Sequence, residues 1–202
     1  MGRTPAPGLN DVGAPGYGLP MTRYAALLRG IMPSNPNMSN EKLRGVFTGL
    51  GFESVASVLS SGNIVFTTEE TPGAELEKRI QEALSAELGI AGGTLVRGHA
   101  ELRALLDRDP FAGYTHGRET YLTVTFFKDS AHSRVDMPTD TDPRTKVVGY
   151  DDQVRAFLSI IDNSAPNTPN FMVWLERNYG KNITTRTWLT VQRVVKKMES
   201  PK

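Results

Sequence analysis

Arg29 ends the apolar run Tyr24-Ala25-Ala26-Leu27-Leu28 and is followed by Ser34, Asn35 and Asn37, in a stretch stiffened by Pro33 and Pro36. A guanidinium taken out of water needs a partner. One candidate is a carboxylate from elsewhere in the chain, which would make a structural ion pair. The other is a ligand: Ser34, Asn35 and Asn37 precede a predicted helix, whose unpaired N–H groups and dipole favour an anion. Arg186, placed by the pattern at the start of the last helix, adds a second cation. Arg29, Ser34, Asn35, Asn37 and Arg186 therefore form the candidate set for a small anionic ligand.

The rest of the chemical inventory is thin. His99, His116 and His132 fall in loops or at helix starts, none with a second His at metal spacing. They read as surface residues, with His99 capping the helix that follows. Asp140/Asp142 and Asp107/Asp109 are close acidic pairs beside prolines, where Asp serves turns and caps. Gly-x-Ser-x-Gly, Walker A and Gly-x-Gly-x-x-Gly patterns are missing from the region expected to fold. No catalytic residue, metal site or cofactor is assigned. From Arg177 to Lys202 seven Lys or Arg face one acid, Glu199, so the last helix is read as a solvated cationic face or a weak nucleic-acid patch.

The chain has 202 residues, 39% hydrophobic, with a formal net charge of +1. That suits one large or two small packed domains without a global field for nucleic acid or membrane. With no Cys there are no disulfides, zinc thiolates or thiol nucleophiles. No apolar run approaches the ~20 residues that span a bilayer, and the N-terminus lacks the apolar region of a signal peptide. A soluble, cytoplasmic protein is expected.

Residues 1–21 carry many Gly and Pro and little that is apolar, and read as a disordered tail. The strand from Arg23 to Gly30 is apolar on both faces, which implies cover on both sides. Leu43, Val46, Phe47 and Leu50 mark a helix over about 39–50, with Ser39 as N-cap and Gly51 at its end. Strands over 54–59 and 64–68 flank the turn Ser60-Ser61-Gly62-Asn63, where Gly62 and Asn63 are the residues suited to positive φ. A second helix opens at Thr71-Pro72 and stops at Gly89, and Thr94–Arg97 is a fourth strand. The order βαββαβ is the ferredoxin-like plan.

The second half is less regular. The spacing predicts a short helix carrying Leu102, Leu105 and Leu106, a strand over 120–127, a loop over 130–144, and a hairpin around Tyr150-Asp151-Asp152. A helix opening at Thr168-Pro169, a brief strand at 182–184, and a last helix over about 186–199 capped by Thr184 or Thr185 follow. This is a degraded copy of the first half in element order, without a residue-level repeat. The units are 22–98 and 99–199, and the fold class is α+β, two ferredoxin-like halves packed together.

Three segments, Tyr-Ala-Ala-Leu-Leu-Arg-Gly-Ile (24–31), Ser-Ser-Gly-Asn-Ile-Val-Phe (60–66) and Thr-Thr-Arg-Thr-Trp-Leu-Thr-Val (184–191), resemble the family called domain of unknown function 1697. The likeness covers about residues 22–198. It departs at Met32-Pro33-Ser34-Asn35-Pro36-Asn37, where the family has a Gly-rich loop beginning with Asn, and at Thr187, where the family has Asn. The resemblance implies two packed ferredoxin-like halves and assigns no activity, cofactor or catalytic residue.

Reading the first and third strands as parallel neighbours puts the loop after Arg29 and the Ser60–Asn63 turn at opposite ends of the sheet, so Arg29 and Asn63 are not expected to share a site. An RNA-binding sheet would need an aromatic-rich third strand, and Asn63-Ile64-Val65-Phe66-Thr67 does not supply one. The favoured reading is a non-catalytic module that binds a small anionic ligand. The alternatives are an enzyme with its site between the halves, which an apolar filled junction would count against, and a weak nucleic-acid binder through the basic last helix.

Overall fold

The computed structural model describes residues 19–128, 142–167 and 169–200. The first half runs β1 (Met21–Leu28), α1 (Asn40–Gly49), β2 (Glu53–Val58), β3 (Asn63–Glu69), α2 (Gly73–Leu88) and β4 (Thr94–Gly98), and α3 (His99–Arg108) follows it. The second runs β5 (Tyr121–Phe127), β6 (Thr145–Asp151), β7 (Ala156–Ile161), α4 (Asn170–Tyr179), β8 (Ile183–Thr187) and α5 (Trp188–Glu199). Each half holds a four-stranded antiparallel sheet, in the orders β2-β3-β1-β4 and β6-β7-β5-β8. The two ferredoxin-like halves are therefore present. The tail and most of the 130–144 loop lie outside the described residues, as does Thr168.

β1 is central and covered on both faces, as its doubly apolar sequence requires. Tyr24, Ala26 and Leu28 pack with Leu43, Phe47, Leu76 and Ile80 under α1 and α2. Ala25 and Leu27 point the other way, into a core shared by both halves, with Val124, Phe126, Leu158, Leu105, Val191 and Val194. A third cluster around Phe127, Phe157, Phe171 and Leu175 fills the outer side of the second sheet under α4.

The repeat that is invisible in the sequence is explicit in the register. Arg97 of β4 lies opposite Ala25, and Arg186 of β8 lies opposite Val124. Leu28 N–H donates to Gly62 O, and at the matching place Phe127 N–H donates to Arg155 O. Arg29 N–H donates to Gly93 O, and Lys128 N–H to Asn182 O. Gly62 and Arg155 both have positive φ, 76° and 50°. Two hairpins of one geometry have thus been built from different residues. Arg155 accepts there the strain that glycine avoids.

Several local expectations are corrected. β1 and β3 are antiparallel, with Leu27 opposite Asn63. A right-handed crossover makes β2 parallel to β1, and the hairpin then reverses β3, so the end of β1 and the Ser60–Asn63 turn share one end of the sheet. Leu59, not Asn63, joins Gly62 at positive φ. The buried Asn63 side chain instead donates to Val58 O at 3.0 Å. Arg186 is in β8 rather than at a helix start, because Ile183-Thr-Thr-Arg-Thr187 is rich in β-branched residues. Thr187 caps α5, accepting from Thr190 N–H. α2 starts at Gly73 with Pro72 at its cap position and no side-chain cap bond; Thr71 Oγ1 donates to Glu69 O instead. His99 is the first residue of α3, not its cap, and Glu101 accepts from Gly98 N–H at 2.6 Å.

Candidate functional site

The five sequence-derived candidates divide. Arg29, at the end of β1, donates to Glu176 of α4 at 2.7 Å and to Ile183 O at 3.2 Å. This is the structural ion pair with the other half, at a partly exposed position (27% and 52% of the side chains). Asn35 accepts from Asn37 N–H at 2.9 Å and caps the short 3-10 turn Pro36–Met38. Asn37 accepts from Lys42 Nζ at 2.6 Å. Ser39 caps α1 by accepting from Lys42 N–H, as its sequence position predicts. Ser34 is exposed.

Arg186 meets Asn63. Its Nε donates to Asn63 Oδ1 at 2.5 Å, one Nη to Thr184 Oγ1 and Thr185 O, and the other to Leu28 O at 2.7 Å and Ser61 O at 3.3 Å. All of these acceptors are uncharged. Burial lowers its pKa to about 10, so it stays a cation at neutral pH. Arg97 is its counterpart. It donates to Val154 O at 2.8 Å and to Phe127 O, and lies 3.8 Å from Glu77, with both side chains fully buried. By register, Val154 matches Ser61 and Phe127 matches Leu28. Each half thus sends one arginine from its last strand to the central strand end and the hairpin turn of the other half. Sequence reasoning missed Arg97; the shared signal is an Arg at the fourth place of a short strand that runs directly into a helix.

Away from the end of α5, the space between the halves is filled, mostly by apolar side chains, with Arg97 and Arg186 crossing it. A gap beside Leu27, Phe126, Arg186 and Val194 has no room for a water-sized molecule. Among the described residues no cluster of His, Cys, Asp or Glu could hold a metal. Asp142 serves α4, accepting from Asn170 N–H at 2.5 Å and Arg144 N–H at 3.0 Å. Burial alone would raise its pKa, but these backbone donors and the Arg144 charge hold it below the usual carboxylate range. Asp107 is tied to Arg103 at 2.7 Å, and Asp109 ends α3 in a left-handed conformation. His99 Nε2 lies 2.9 Å from Glu199 Oε1, and His116 Nδ1 accepts from Leu122 N–H. Asp140 and His132 lie outside the described residues.

A larger opening lies where α5 ends and no longer covers the inner face of the first sheet. This groove, about 520 Å³, has Ala56, Val65 and Met198 on its floor, with Arg23, Lys197 and Glu53 among its walls. The signal in the sequence is parity: Arg23 shares the inner face of β1 with Ala25 and Leu27, where an apolar residue would otherwise be expected. Arg23 donates to Met198 O at 2.5 Å, and its remaining donors have no partner among the described residues. Ser54 lines the same groove with φ 52°, beside a register shift between Glu53 and Ala56. Strained non-glycine backbone and bulges on edge strands gather at functional positions.

The family model described as protein of unknown function, DUF1697, matches residues 21–153. The chain belongs to this family. No curated protein matches it in sequence. Among solved structures it is similar to the conserved bacterial protein SP0830 from Streptococcus pneumoniae, at 18% identity and a TM-score of 0.64, over 89% of this chain and 100% of that one. At that identity the likeness speaks for the fold. Among the described residues no helix is long and apolar enough to cross a membrane.

Proposed function

We propose that this protein is a non-catalytic module that binds a small anion with an apolar part, in the groove between the first sheet and the end of α5. One observation carries this reading: two cations, Arg23 and Lys197, stand against one carboxylate, Glu53, around an apolar floor in a cavity of ligand size. Both halves build the groove, so the fold must be assembled before the ligand is held. The sequence-derived set supports it less, because Arg29, Asn35, Asn37 and Arg186 already have partners within the chain. Apart from this groove the junction is filled, so an enzyme working between the halves would have to use the same opening. For nucleic acid, the faces of the first sheet that would stack bases are covered, and exposed Arg193, Lys196 and Lys197 leave only phosphate contacts.

Thermal-shift titration at low salt with aromatic and aliphatic carboxylates and phosphate esters tests the proposal. A ligand at one hundred times its Kd adds about 2.7 kcal/mol of stability, an easily read shift. Stabilisation should persist in Arg29→Ala, disappear in Lys197→Glu, and strengthen in Glu53→Gln. The proposal is rejected if no anion stabilises the protein, or if the effect follows Arg29 instead of Lys197.

A further inference from the structure

The internal repeat exposes a difference between the outer faces of the two sheets. With Ala25 matched to Val124, Tyr24 corresponds to Thr123 and Phe66 to Ser159. In the first half Tyr24 and Phe66 stack at 5.8 Å and close the core under α1 and α2. In the second half the same places hold two hydroxyls, Thr123 Oγ1 and Ser159 Oγ, 2.8 Å apart and buried. Thr125 and Thr185 add a second hydroxyl pair beside them, also at 2.8 Å.

Where the aromatic pair is missing, a cavity of about 270 Å³ opens. Its lining includes Thr123, Thr185, Tyr121, Asn163, Asn167 and Met172, with no charged side chain. The Tyr121 hydroxyl and the Asn163 carboxamide have no hydrogen-bond partner among the described residues. A single water takes about 30 Å³ of liquid, so the space suits a small ring rather than one solvent molecule.

We propose that this cavity is a second binding site, for a small uncharged molecule rich in hydroxyl or amide groups and carrying one apolar face. Thr123, Thr185, Tyr121 and Asn163 offer donors and acceptors to hydroxyls; Met172 and the Tyr121 ring offer apolar contact. A charged ligand would find no counter-ion on this lining. The site is independent of the anion groove.

The test is a set of ¹H–¹⁵N spectra of the whole protein titrated to millimolar levels with glucose, ribose, adenosine and uridine, and separately with sodium phosphate and sodium benzoate. Saturable shifts of the Thr123, Ser159 and Thr185 amides are expected with at least one neutral probe and not with the anions. Thr123→Tyr with Ser159→Phe, which rebuilds the aromatic filling of the first half, should abolish them. Asn163→Ala, at an exposed position whose side chain makes no hydrogen bond among the described residues, should weaken binding several-fold, while Lys197→Glu should leave it unchanged. Absence of a saturable shift with every neutral probe, equal shifts with the anions, or full binding by Asn163→Ala would each overturn the proposal.

Discussion

Arg97→Met should cost clearly more stability than Arg186→Met, although the two arginines occupy matching places. Both cross to the other half and donate to a central-strand carbonyl and a turn carbonyl. Only Arg97 also faces a carboxylate, the fully buried Glu77 at 3.8 Å. Removing one member of a buried pair costs about 3–5 kcal/mol, because the other charge stays behind without its counter-ion. Removing either arginine orphans a central-strand carbonyl and a turn carbonyl at matching places, at about 1–3 kcal/mol for each that stays buried and unpaired, so that part of the loss is shared and the buried Glu77 charge makes the difference. Methionine restores much of the lost packing in both cases. With a urea m-value of about 2 kcal/mol/M, a difference of about 2 kcal/mol separates the two midpoints by about 1 M. The assay is equilibrium urea unfolding followed by far-UV CD and tryptophan fluorescence. Each variant should unfold in one transition, since the central core belongs to both halves. Glu77→Leu added to Arg97→Met should recover part of the loss. Equal midpoints, or a lower one for Arg186→Met, would refute the role given to the buried charge.

Three further outcomes follow from local geometry. Gly92→Ala should be severely destabilising, because a Cβ there would sit 1.9 Å from Arg29 O; a thermal midpoint within a few degrees of wild type would contradict this. Asp142 has a depressed folded pKa, so its stabilising contribution is fully present above the ordinary carboxylate pKa and fades as pH falls through the folded value; Asp142→Asn should flatten that acid limb and cost about 1 kcal/mol through the weakened α4 cap, both readable from unfolding at several pH values. Glu176→Ala breaks the partly exposed pair with Arg29 and should cost at most about 1 kcal/mol; a loss of several kcal/mol in urea unfolding would mean that the pair anchors the two halves.

What was legible in the sequence was whatever depends on periodicity. The doubly apolar Tyr24–Leu28 run does lie at the centre of a sheet covered on both sides, and Leu43, Val46 and Phe47 do form the buried face of α1. What was hidden depends on contacts between distant residues. Nothing local in Thr94-Leu-Val-Arg97-Gly98 says that its arginine crosses to the turn before β7. The same holds for Arg186, whose neighbours on Ser61 and Asn63 are more than 120 positions away. The misplaced end of the sheet came from treating β1 and β3 as parallel. Once they are antiparallel, the Asn63 turn and the end of β1 fall at one end of the sheet without further assumption. The groove was missed for a related reason: Arg23 begins the strand and shares the inner face with Ala25 and Leu27, but which residues of α5 stand opposite it depends on long-range packing.

The anion groove is tested most directly by amide chemical-shift mapping with the carboxylate that gives the largest thermal shift. Saturable changes confined to Arg23, Ser54, Ala56, Thr67 and Met198 are the predicted result. Changes centred on Arg29, Ser34, Asn35 and Asn37 would contradict it and return the ligand to the loop after β1.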